Sequence, residues 1–346
     1  MIKVNNLVKK YGSHTAVDNL SFEVEKGQIF GFLGPNGAGK TTTMNIMTGY
    51  IAATDGSVEI NGYDMLTKPQ EAKKCIGYLP EIPPLYTDMT VLEYLKFVAE
   101  LKKVPKEERN AQIQEIMKMT EILDVGGRLI KNLSKGYKQR VGLAQAIVGY
   151  PDVIILDEPM VGLDPKQIIE IRALIKRLSE NHTIILSSHI LSEVSTLCDH
   201  IMIISNGRLM ASDTPQGLQK LMEKSVEIEI TALGSVEKAE GILSKIENVQ
   251  SFNCEAAEEE NVKICVVTQG DIDIRKELSV ALTAGGMPVL SMNKLEKTLE
   301  DIFLQLTDDA ANKDAAAEGA AVEDTDGLDN TENEDNADNE AEQEEE

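Results

Sequence analysis

A chain of 346 residues, 42% hydrophobic and 27% charged, is long enough for two domains with a sizeable core. Seventeen acids against one base between 308 and 346 carry -16 of the net charge of -24; the remaining -8 over residues 1–307 argues against a nucleic-acid partner. No apolar run approaches the roughly 20 residues that cross a bilayer, and the polar start MIKVNNLVKK excludes the apolar region of a secretory signal.

Along residues 1 to about 224, short Ile/Val/Leu-rich runs alternate with helical patterns. QIFGFLG (28–34), CIGYLP (75–80), VIILDE (153–158) and TIILSS (183–188) predict strands buried on both faces. That alternation is the signature of an α/β fold with a mostly parallel sheet. Asn206-Gly207 in HIMIISNGRLMAS predicts a hairpin.

The first strand runs into GPNGAGKTT, Gly34 to Thr42, followed by a helical MNIMTGY. The pattern G-x-x-x-x-G-K-[ST] between a strand and a helix is a P-loop. Its backbone, with Asn36, Gly37, Gly39 and Thr42, curls around the phosphates of ATP, while Lys40 reaches the β- and γ-phosphates and the Thr41 hydroxyl faces Mg²⁺. VIILDEP then supplies Asp157 as a Mg²⁺ ligand and Glu158 to polarise an attacking water. One carboxylate alone is ambiguous, since strand ends often carry a capping Asp; two in series beside a P-loop favour chemistry. His189, after TIILSS, falls at the carboxyl edge where α/β sheets bind ligands, placing a γ-phosphate contact there.

LSKGYKQR, Leu133 to Arg140, offers Ser134 as a helix cap, Gly136 where backbone can approach a ligand, and basic residues suited to phosphate. From about Ser225 the pattern changes: SVEIEIT, NVKICVV and PVLSM predict strands, VEKAEGILSKI, DIRKELSVALTAGG and LEKTLEDIFLQLT helices. This predicts a small α+β domain of ferredoxin-like character over 225–307. The Ala, Asn, Asp and Glu of 308–346 predict a disordered acidic tail. The four cysteines, Cys75, Cys198, Cys254 and Cys265, lack a CxxC pair and read as reduced thiols of a cytosolic protein.

The ordered set of motifs over residues 1 to about 224 resembles the ATP-binding cassette (ABC) ATPases. The resemblance implies a P-loop cassette with an antiparallel β subdomain and a helical subdomain near 88–132. It also implies that LSKGY is the signature segment, with Ser134 and Gly136 binding the γ-phosphate held by the P-loop of a second cassette, homodimer or heterodimer. Lys135 and Tyr137 depart from the usual LSGGQ. VGLDP (161–165) is similar to the D-loop, which makes Asp164 a nucleotide-binding candidate. Tyr11 falls where the family stacks an aromatic ring on adenine, worth about 1–3 kcal/mol; packing on the first strand is the alternative. Glu81 stands where many members carry a Gln that senses Mg²⁺ and the water. The implied function is the ATPase subunit of an exporter whose integral membrane permease subunits are separate chains, held peripherally on the cytoplasmic face. The alternatives are a soluble ATPase acting on ribosomes or DNA, and a regulatory module.

Overall fold

The computed structural model describes residues 1–221, 226–257, 261–270 and 272–295. The tail from 308 and the last expected helix lie outside these, except for Leu295, which ends a strand.

In chain order, β1 (Ile2–Tyr11) and β2 (His14–Val24) pair antiparallel, and β3 (Ile29–Leu33) leads into α1 (Lys40–Met47). β4 (Asp55–Ile60), β5 (Tyr63–Asp64) and α2 (Pro69–Lys74) precede β6 (Ile76–Leu79). Next come α3 (Val91–Leu101), α4 (Lys106–Met119) and two 3-10 turns, then α5 (Lys135–Ile147). β7 (Val153–Leu156), α6 (Pro165–Leu178), β8 (Thr183–Ser188), α7 (Leu191–Leu197), β9 (His200–Ser205), β10 (Arg208–Asp213) and α8 (Pro215–Leu221) follow.

The central sheet has the order β10-β9-β3-β8-β7-β6, parallel except for the β9–β10 hairpin. Its strands alternate between two cores. Ile154, Leu156, Ile184 and Leu186 face the helical side, while Val153, Ile155 and Ile185 face the side of the antiparallel sheet β2-β1-β4-β5. Burial on both faces explains why these strands read as unbroken apolar runs. Because β3, β6, β7 and β8 run parallel, their carboxyl ends, and the residues just after them, reach one edge. The β9–β10 turn has Ser205 opposite Arg208, with Asn206 (φ 48°) and Gly207 (φ 74°) both left-handed, as an Asn-Gly hairpin requires.

α3 starts with a capping box, Thr90 and Glu93 bonding each other's backbone N–H. The later residues add β11 (Glu227–Leu233), α9 (Val236–Leu243), β12 (Val249–Ala256), β13 (Asn261–Thr268), α10 (Arg275–Ala284) and β14 (Val289–Leu295). Their antiparallel sheet has the order β12-β13-β11-β14 over a core of its own. β12 is a strand that the sequence reading did not expect. It pairs on one side only, and its exposed Gln250, Ser251, Asn253 and Glu255 blur the apolar pattern. Among the described residues no helix is long and apolar enough to cross a membrane.

Candidate active site

The P-loop leaves β3 at Gly34 and enters α1 at Lys40. Gly39 ends the loop at φ 99°, and a Cβ there would lie 2.5 Å from the Ala16 carbonyl oxygen. Only glycine fits both the backbone angle and the space. Gly34 needs glycine for a different reason: its Cβ would meet the Ile204 carbonyl oxygen.

Lys40 Nζ donates to the carbonyl oxygens of Gly34 (2.7 Å) and Pro35 (3.2 Å) and lies 3.5 Å from Glu158 Oε1. On the other oxygen of that carboxylate, His189 Nδ1 sits 2.9 Å from Oε2. A carboxylate only accepts, so the proton of this contact is on Nδ1, and Nε2 remains for substrate or water. Glu158 itself has φ 47°, a left-handed angle that costs a non-glycine residue about 1–2 kcal/mol. Ser187 holds it there: the Glu158 N–H donates to Ser187 Oγ at 2.8 Å, and that hydroxyl donates to Asp157 Oδ1 at 2.6 Å.

Asp157 is buried, and its Oδ2 has no hydrogen-bond partner. Burial pushes its carboxyl above the usual range and the neighbouring Glu158 charge adds to this, while the Ser187 and Thr41 hydroxyls and the Lys40 ammonium oppose it. An orphaned buried carboxylate oxygen beside a threonine hydroxyl fits a hard cation. Mg²⁺ takes one or two carboxylates plus phosphate and water oxygens rather than an all-protein cage. Consistently, no group of three His, Cys, Asp or Glu side chains among the described residues could hold a metal alone.

A cleft of about 560 Å³ brings together Tyr11, Asn36, Gly37, Gly39, Lys40, Thr41, Thr42, Glu81, Glu158 and His189. Tyr11 is half exposed at its mouth, with Lys9 Nζ of the same strand 5.0 Å from the ring centroid. Asp157 borders the neighbouring groove with Thr41 and Glu81. Gly34 is absent from the cleft wall; it stands behind the loop as the acceptor for Lys40.

Ser134, Gly136 and Asp164 are elsewhere, in a second cleft of about 430 Å³ with Tyr137 and Gln167. Ser134 caps α5 by accepting from the Tyr137 N–H at 3.4 Å, and Asp164 caps α6 by accepting from the Gln167 N–H at 2.9 Å. The expectation that the basic residues of LSKGYKQR suit phosphate is corrected for Arg140, which is buried and bound to Glu121 (2.9 Å) and Glu170 (2.6 Å). Gln139 donates to the Pro159 carbonyl at 2.9 Å, tying α5 to the segment that follows Glu158. Tyr137, in place of the usual glutamine, donates to Asp124 Oδ2 at 3.0 Å, which raises its phenol pKa.

Two residues at or next to the first cleft have roles that the motifs do not show. His14 lines the cleft but carries no motif; Ser187 reveals its role only once β7 and β8 are known to be neighbours.

The ABC transporter family matches residues 17–161. The bacitracin transport ATP-binding protein BcrA of Bacillus licheniformis is 35% identical over 88% of this chain and 97% of its own length. The linearmycin resistance ATP-binding protein LnrL of Bacillus subtilis is 32% identical over 89% of this chain and 98% of its own. Among solved structures, the ATP-binding cassette MJ0796, a dimer in a post-hydrolysis state bound to ADP and Pi, aligns at TM-score 0.57 with 26% identity over 62% of this chain and 99% of that one. The chain belongs to the ATP-binding proteins of ABC transporters, and it is an ATPase.

Proposed function

We propose that this chain is the motor of an exporter, binding MgATP between two cassettes and driving separate membrane-spanning permease subunits from the cytoplasmic face. The observation that carries the reading is the pair at the end of β7: Asp157 presents an unpartnered buried oxygen, and Glu158 is held at a strained angle against Lys40 and His189.

Thr41 and Asp157 would hold Mg²⁺, with Glu81 reaching it through water, and the bound ion offsets phosphate charge. The P-loop N–H groups grip the triphosphate, and its γ-phosphate draws the Lys40 ammonium away from Glu158. Glu158 then accepts a proton from the attacking water. His189, oriented by Glu158, aligns that water by accepting from it at Nε2, or, as an imidazolium with both nitrogens protonated, donates from Nε2 to a γ-phosphate oxygen. Tyr11 offers its free face to the adenine. The second cleft serves a partner cassette: Ser134 and the N–H groups of Gly136 and its neighbours meet the γ-phosphate of the partner's ATP, with Asp164 beside them.

Transport of bacitracin and resistance to linearmycin, named for two relatives, favour export. The β-α-β-β-α-β order of 225–295 with the sheet order β12-β13-β11-β14 supports a ferredoxin-like accessory domain after a cassette of residues 1–224, with 88–132 as its helical subdomain. Tagged full-length chain purified from detergent-solubilised membranes should bring down a multi-span membrane protein. Recovery with ribosomes or DNA instead would reject the transport reading in favour of a soluble ATPase.

A further inference from the structure

Glu193 is a buried carboxylate with no place in the chemistry above, 5% exposed in the first turn of α7. Among the described residues no Lys, Arg or His lies within ion-pair distance of it, so its burial is costly for stability alone. It does have one well-formed partner: the Ser188 hydroxyl donates to Glu193 Oε2 at 2.7 Å. The same hydroxyl accepts from the Ile190 N–H at 3.0 Å. In an ordinary capping box the acid at the third helical position bonds directly to the backbone N–H of the cap residue. Ile190 is the cap of α7 and has no side chain able to accept a hydrogen bond, so Glu193 reaches that N–H through Ser188.

The two residues bridged in this way, Ser188 and Ile190, flank His189. The His189 ring is 41% exposed and its hydrogen bond goes to Glu158 at 2.9 Å. An imidazole so open to solvent does not hold one rotamer by packing; the backbone beneath it must be fixed. Ser188, 1% exposed, and Glu193 supply that fixed base.

We infer that Glu193 is a positioning residue for ATP hydrolysis: through Ser188 it pins the turn that keeps His189 on Glu158. This rests on the role given to His189 above. A displacement of about 1 Å at a catalytic group can cost up to 10²-fold. Ser188→Ala and Glu193→Ala should therefore each lower kcat by roughly ten-fold or more while KM for ATP stays within about two-fold. Glu193→Gln, which keeps an acceptor oxygen, should recover much of the loss.

The deciding measurement is Mg²⁺-dependent ATPase of the full-length chain in a cycle with His189→Ala. If Ser188 acts through His189, adding Ser188→Ala to His189→Ala should change kcat by less than about two-fold. An equal drop in both backgrounds, a KM that rises in step, or wild-type turnover in Ser188→Ala overturns the inference. Full turnover in His189→Ala alone would sink the role of His189, and the inference with it. Should Glu193→Ala not fold, Ser188→Ala and Glu193→Gln decide the matter.

Discussion

Lys40 Nζ lies 3.5 Å from Glu158 Oε1, and both side chains are more than nine-tenths buried. The proposed base is thus paired with the cation that a triphosphate would claim, and its second oxygen is taken by His189. In the proposed mechanism nucleotide binding therefore releases the Glu158 carboxylate, because Lys40 cannot serve both partners fully. Glu158→Gln should leave ATP binding intact and lower hydrolysis by about 10²- to 10⁴-fold, the usual contribution of a general base. Equilibrium binding and turnover of the purified variant check this; turnover within a few-fold of wild type would remove Glu158 from the chemistry.

In the proposed mechanism Asp157 trades stability for metal binding. Its pKa is raised, chiefly by burial, so the folded chain holds this proton more tightly than the unfolded chain does. The stability tied to this group is full below the ordinary carboxylate value and is lost as pH rises through the raised one. Asp157→Asn removes that loss. Urea unfolding should show the variant more stable than wild type at about pH 7.5, the gain shrinking as pH falls towards 4, while Mg²⁺-dependent turnover disappears. A variant less stable than wild type at neutral pH would contradict this.

Ser187 bridges the two acids, accepting from the Glu158 N–H and donating to Asp157. Ser187→Ala leaves both groups buried and short of a partner, at a cost of roughly 1–3 kcal/mol each way such a group is stranded. The expected result is a lower melting temperature together with weaker turnover, since the left-handed backbone at Glu158 loses its anchor. Unchanged melting and turnover would show that the backbone alone holds Glu158.

How much of this was written in the sequence depends on what each feature obeys. The P-loop was legible because its glycines answer to local backbone geometry, as Gly39 shows with φ 99°. The parallel strands β3, β6, β7 and β8 were legible because both of their faces are buried. For β1 and β2 the family resemblance implies only an antiparallel β subdomain without bounds, since Asn6 (φ 47°) and Asn19 (φ 54°) sit where their register shifts and break the alternation. Ser187 and Arg140 were not legible in their true roles. A serine that joins two strand ends, or an arginine enclosed by Glu121 and Glu170 from far along the chain, depends on neighbours that only the fold supplies. Gly34 is intermediate: the motif marks it, but its need for a bare Cα comes from the Ile204 carbonyl across the sheet.

The central claim is that Ser134 and Gly136, in a cleft separate from that of Lys40, act on the P-loop of a second cassette. The direct measurement is ATPase activity of isolated heterodimers carrying distinct tags. Lys40→Ala paired with Ser134→Arg should regain activity, because one of its two shared sites is intact. Wild type paired with a chain bearing both changes should be dead, because each site then has one damaged half. Activity in the second pair with none in the first would contradict the account, since it would mean that each chain completes its own site.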